Sequence, residues 1–102
     1  MLIFDEQKLI QTLQKEGWAN HEIRAVIGHL GKVSSQLQKT FDEWLNHQII
    51  SDEPLVEGLS IRTMMDLYGC NFLDGLFHMN VCLDSPDLIK KYKDFLFTKE
   101  EY

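Results

Sequence analysis

The stretch from Leu55 to Leu83 constrains the fold more than any other part of the chain. Apolar residues crowd it almost without relief, and charges enter only singly, at Glu57, Arg62, Asp66 and Asp74. Such a segment must leave water, since fully burying one large apolar side chain is worth roughly 1.5–3 kcal/mol. In 102 residues the available interior is small, because a domain of this size hides only about two-thirds of the surface that its unfolded chain exposes. The block is therefore either the centre of the fold or the seat of a contact with a second copy or a partner. A hydrophobic content of 44%, with 11% aromatics, supports a packed core and argues against disorder.

Gly, Asn, Ser and Pro punctuate the chain into six helical segments, none of which reads as a strand. Asp5 is the expected N-cap of the first helix, with Phe4 and Leu9 at the two positions of a hydrophobic staple and Gly17 as its stop. Leu9, Ile10 and Leu13 are its inward residues. Asn20 is expected to cap a second helix, in which Ile23, Val26, Ile27 and Leu30 recur at i, i+3, i+4, i+7 and Gly31 supplies a left-handed end. Ser35 with Gln38 forms a capping-box pattern for a third helix bearing Leu37, Phe41, Trp44 and Leu45.

Residues 46 to 58 read as a connection, because Pro54 lacks a backbone donor and Asp52 and Glu53 have no periodic partners. Ile49 and Ile50 are expected to pin it to the core. Ser60 then caps a fourth helix, with Leu59 and Met64 at staple positions and Gly69 at its end. Asn71 with Asp74 opens a fifth, bearing Phe72, Leu73, Leu76, Phe77, Met79 and Leu83. Ser85-Pro86-Asp87 is a strong start signal for a sixth. It combines a hydroxyl cap, a proline where no N–H is required, and an acid favoured by the helix dipole. That helix is expected to turn Leu88 or Ile89, Tyr92, Phe95 and Leu96 inward.

The run Ile10, Leu13, Gly17, Trp18, followed by Ile23, Val26 and Ile27, resembles ubiquitin-associated (UBA) and related three-helix domains over residues 5–45. There an apolar helix ends in a Gly-aromatic loop and a second apolar helix follows. The resemblance implies that Gly17 and Trp18 belong to an exposed contact loop that recognises ubiquitin. Read from the residues alone, Trp18 closes the core between two helices.

The formal net charge of -6 and the pI near 5.0 work against nucleic acid and anionic membranes as partners, because affinity for phosphate backbones comes from Lys and Arg. Met1-Leu2-Ile3-Phe4 is followed by Asp5 and Glu6, whereas a signal peptide opens on basic residues and continues through a longer apolar run. No apolar run reaches the length of a membrane span. A cytoplasmic location is expected, with Cys70 and Cys82 as reduced thiols in apolar surroundings.

Asp74, His78 and Cys82 stand at i, i+4, i+8 and share one side of the fifth helix, an arrangement open to a metal or to a thiol with a base beside it. A structural zinc site needs four ligands, and no second Cys/His pair stands at metal spacing. A nucleophilic cysteine also needs an electropositive setting and an oxyanion site, and the sequence offers neither. No cofactor, metal or catalytic residue is therefore assigned. The segment from Ser60 to Leu83 has the helix-turn-helix outline. Its second helix, however, presents Phe72, Leu73, Leu76, Phe77 and Met79 where a groove-reading helix presents basic or amide side chains. Met64, Met65 and Met79 add soft, adaptable surface that fills a core or lines a partner groove.

These observations point to one all-α domain built as two packed three-helix units, spanning 5–46 and 59–98 and joined by 47–58. The expected function is a non-enzymatic protein-interaction module or adaptor, self-associating through helices four and five. Trp18, Met64, Met65, Phe72, Phe77 and Met79 are its candidate contacts, and its partner is a protein or a second copy. The alternatives are an acidic inhibitor that mimics nucleic acid in a basic groove, as small phage anti-defence proteins do, and a thiol enzyme using Cys82 and His78.

Overall fold

The computed structural model describes residues 1–56, 58–85 and 87. Over these it is helical, with five α-helices: α1 (Glu6–Lys15), α2 (Asn20–Leu30), α3 (Gln38–His47), α4 (Ile61–Tyr68) and α5 (Phe72–Asp84). Among the described residues there is no strand, only an isolated antiparallel bridge between Val56 and Leu59. The chain divides into two units, Met1–Ile49 and Ile50–Tyr102, so the boundary falls inside the segment expected to connect them.

In the first unit α1 packs against both α2 and α3. Asp5 accepts a hydrogen bond from the Lys8 N–H and caps α1. The helix ends in a Schellman turn in which the Trp18 N–H reaches the Leu13 carbonyl (3.0 Å) and the Gly17 N–H reaches that of Gln14 (3.1 Å). Gly17 sits at φ +90°, a conformation that disfavours any residue with a Cβ. Leu9, Leu13, Leu30, Leu37 and Phe41 are fully sequestered and form the centre of the unit. Phe41 meets Phe4 edge-on at 5.7 Å and Trp44 at 5.9 Å.

Three expected helix ends differ. Helix α2 begins at Asn20, one residue early, because the Glu22 carboxylate reaches back to the Ala19 N–H (3.0 Å) and supplies the cap that Asn20 was expected to give. Gly31 is right-handed at φ -63°. The chain leaves α2 by tightening into i→i−3 bonds, Lys32 to His29 and Val33 to Leu30, so a left-handed stop is unnecessary. Ser34, rather than Ser35, accepts from the Gln36 N–H and starts a 3₁₀ turn (Ser35–Leu37) that leads into α3. Gln38 is thereby released from capping, and its amide instead brackets the Ile3 backbone. It accepts from the Ile3 N–H (2.7 Å) and donates to the Ile3 carbonyl (2.8 Å).

Helix α3 ends on Gln48 in the left-handed region at φ 59°, a conformation costing a non-glycine residue about 1–2 kcal/mol. Ile49 beyond it is 51% exposed. It does not pin the connection to the core, because the turn at Gln48 directs the chain outward.

In the second unit the segment before α4 is held by backbone bonds between Leu55 and Leu59 (2.8 Å) and between Leu59 and Val56 (2.8 Å). Arg62 binds the Asp52 carboxylate (2.8 Å) and the Ile50 carbonyl (3.2 Å), giving Asp52 the partner that its sequence neighbourhood lacks. Ser60 caps α4 through the Thr63 N–H, and Asn71 caps α5 through the Asp74 N–H. Gly69 ends α4 at φ 62°. The two helices cross closely at Gly75, where a Cβ would lie 3.0 Å from the Met65 Cγ and 3.3 Å from the Ile61 Cγ2. Ile61, Met64, Leu73, Leu76, Met79 and Cys82 are sequestered around that crossing. The sixth helix expected from the Ser85-Pro86-Asp87 signal, with its inward residues from Leu88 to Leu96, lies outside the described residues.

Candidate interaction surface

The six side chains singled out as contacts divide by burial. Met64, Phe72 and Met79 are buried in the second unit, whereas Trp18, Met65 and Phe77 keep part of their surface in water. Trp18 follows the Schellman turn and donates its indole N–H to the Glu16 carboxylate at 3.2 Å, which fixes the ring beside the end of α1. Met65 lies against the Gly75 crossing.

Helix α5 is apolar around most of its circumference, and its outer side is set by helical phase. At about 100° per residue, Asp74, Phe77, His78, Val81 and Asp84 share one stripe. Asp74, Val81 and Asp84 are exposed, while Phe77 and His78 are half-buried. The His78 ring stacks on Tyr68 at the end of α4, with centroids 4.7 Å apart and planes 14° from parallel. Tyr68 is 41% exposed and Val81 46%. The stack thus extends the stripe of α5 onto α4 as one patch of Tyr68, His78, Val81 and Phe77. Of this patch only Phe77 is singled out as a contact by the sequence, and Val81 is missed although it stands at i+7 from Asp74 and i+4 from Phe77. Nothing in the sequence signalled Tyr68, whose place depends on how α4 and α5 cross.

Asp74, His78 and Cys82 do not converge. Each i→i+4 step advances about 40° around the axis, so over two steps the side chains run from exposed Asp74 through half-buried His78 to fully buried Cys82. Among the described residues, no group of three or more His, Cys, Asp or Glu side chains is placed to hold a metal ion. Neither cysteine is in a disulfide. The Cys70 thiol is pushed above its ordinary value, first by partial burial and then by the negative charge of Asp74, with a backbone hydrogen bond acting the other way. It is therefore protonated and weakly nucleophilic at neutral pH.

Charge is unevenly shared between the units. Residues 1–49 carry six carboxylates against five cationic side chains, whereas residues 50–102 carry ten carboxylates against five. Asp52, Glu53, Asp66, Asp74, Asp84 and Asp87 are all exposed, and Arg62, the one cation among the unit's described residues, is engaged by Asp52 and Ile50. The carboxylates look scattered along the sequence, but folding places them around the outside of the second unit.

A shallow depression in the first unit is lined by Ser35, Gln36, Gln38, Lys39, Asp42, Glu43, Asn46 and His47. All of these belong to α3 and its leading turn, so they make an open helix face and no enclosed site. Among the described residues, no helix is long and apolar enough to cross a membrane. No protein-family model matches the chain, and no curated protein or solved structure matches it.

Proposed function

We propose that this protein is a non-enzymatic, cytoplasmic interaction module that docks another protein chain on the outer surface of α4 and α5. The observation that carries this reading is the patch formed by Tyr68, His78, Val81 and Phe77. Single exposed apolar residues are ordinary on a protein surface, but a contiguous group with a polar rim marks a contact. Tyrosine, phenylalanine and methionine are also the side chains that interfaces favour. The sequence from Ser85 onward supports a sixth helix, giving the second unit three helices like the first. Self-association, expected from the apolar content of residues 55–83, is an alternative use of the same patch.

The experiment is affinity capture from cells that make the protein, using the natural chain and the double variant Tyr68→Ser/Val81→Ser. Both positions are exposed, so the variant should unfold within about 0.5 kcal/mol of the natural protein. The docking reading requires a stoichiometric partner that the natural chain retains and the variant loses. Identical capture by the two chains, or no stoichiometric partner for either, would overturn it.

A further inference from the structure

We infer that the chain docked on α4 and α5 is a basic amphipathic segment of a different protein. Its apolar side chains rest on Tyr68, Phe77 and Val81, and its Lys or Arg side chains face Asp74 and Asp84. This inference rests on the docking reading above and adds the chemistry of the partner.

Three observations select that occupant. Asp74 and Asp84 lie on the same stripe of α5 as Phe77 and Val81, so a ligand long enough to cover the apolar residues also meets both carboxylates. The second unit holds ten acids against five cations, and Arg62, the one cation among its described residues, is engaged by Asp52 and the Ile50 carbonyl. With Asp74 and Asp84 exposed on the stripe itself and the unit net negative, the patch attracts cationic ligands. Pairing between two copies is isologous, setting each stripe against its own equivalent. Carboxylates would then face carboxylates, and like charges brought together at an interface are costly. The same negative charge repels phosphate, which removes nucleic acid and anionic lipid as occupants.

The test uses a fluorescently labelled peptide of leucine and lysine at amphipathic helical spacing, and a second in which every lysine is replaced by glutamate. Fluorescence anisotropy should show saturable one-to-one binding of the lysine peptide and none of the glutamate peptide. Affinity should fall about tenfold in Tyr68→Ser/Val81→Ser and about tenfold in Asp74→Asn/Asp84→Asn, and it should weaken as salt is raised. Asp42→Asn/Glu43→Gln in the first unit serves as the charge control and should bind like the natural chain.

Several results would overturn the inference: no saturable binding, equal binding of the glutamate peptide, or an equal loss in the first-unit control. A dimer in sedimentation equilibrium that Val81→Ser abolishes would replace the foreign partner by a second copy while leaving the docking surface intact. Failure of the docking reading itself shows separately, as identical capture by the natural chain and the Tyr68→Ser/Val81→Ser variant.

Discussion

Replacing two glycines by alanine separates the close crossing of α4 and α5 from ordinary helix propensity. Gly28 lies inside α2, is exposed, and has nothing within 4 Å of where a Cβ would stand. Gly28→Ala should therefore show the propensity gain alone, a stabilisation of about 1 kcal/mol. Gly75 lies inside α5 and receives the same gain, but its Cβ would meet the Met65 Cγ at 3.0 Å, the Ile61 Cγ2 at 3.3 Å and the Ile61 carbonyl at 3.4 Å. Met65 is flexible and half-exposed, so it yields cheaply. Ile61 is β-branched and fully buried, and the third contact is backbone of the facing helix, so relief requires the two helices to separate. Overpacking of this kind costs about 1–3 kcal/mol. Gly75→Ala should thus lie between no change and a net loss of about 2 kcal/mol. Gly75→Leu should lose more than Gly75→Ala. Urea unfolding followed by far-ultraviolet circular dichroism measures all three variants. If Gly75→Ala stabilises as much as Gly28→Ala, the close approach of α4 and α5 at Gly75 is wrong.

Trp44→Ala should cost about 3–5 kcal/mol, because the indole is buried against Phe41 in the first unit. A variant that melts like the natural chain would remove Trp44 from the core. Gln48→Gly should stabilise by about 1 kcal/mol through release of the left-handed strain at φ 59°, and unchanged urea unfolding would contradict that geometry. Alkylation of Cys70 should be slow at neutral pH and should accelerate only as pH rises through a value above that of an ordinary thiol. Asp74→Asn removes the charge that, after burial, raises it, so that variant should react faster at a given pH, and an unchanged rate profile would refute the coupling. Fully buried Cys82 should react only when the protein unfolds. Rapid native labelling of Cys82, slowed by His78→Ala, would restore the thiol-enzyme alternative.

Helix existence was legible in the sequence because its signals are local. Asp5, Ser60 and Asn71 each accept the backbone hydrogen bond expected of a cap, and Gly17 and Gly69 both adopt the left-handed stop. Leu37, Phe41, Trp44 and Leu45 occupy the buried side that their spacing predicts. The misread ends have specific competitors. Glu22 caps from the third helical position, Gln38 serves the Ile3 backbone, and Gln48 takes a left-handed site without being a glycine, so residue type alone misplaced α2, α3 and the outward turn at Ile49. The candidate surface was legible only at Phe77. Phe77 was singled out and Val81, one turn further along the same stripe, was not, while Tyr68 joins it only through tertiary packing on His78, and the exposure of the acids around it required the fold. Phe72 and Met79 could not be sorted from Phe77 by hydrophobicity, because α5 is apolar on nearly every side and only its packing distinguishes inner from outer residues.

In-cell photo-crosslinking tests the central claim most directly. A photoreactive amino acid is placed at position 81 on the outer stripe of α5, where Val81 is 46% exposed, or at position 21 in α2, where His21 is also exposed. The docking account predicts one discrete adduct with a second protein from position 81, lost when Tyr68→Ser is added, and no discrete adduct from position 21. Discrete adducts from position 21 alone, or none from position 81, would contradict it.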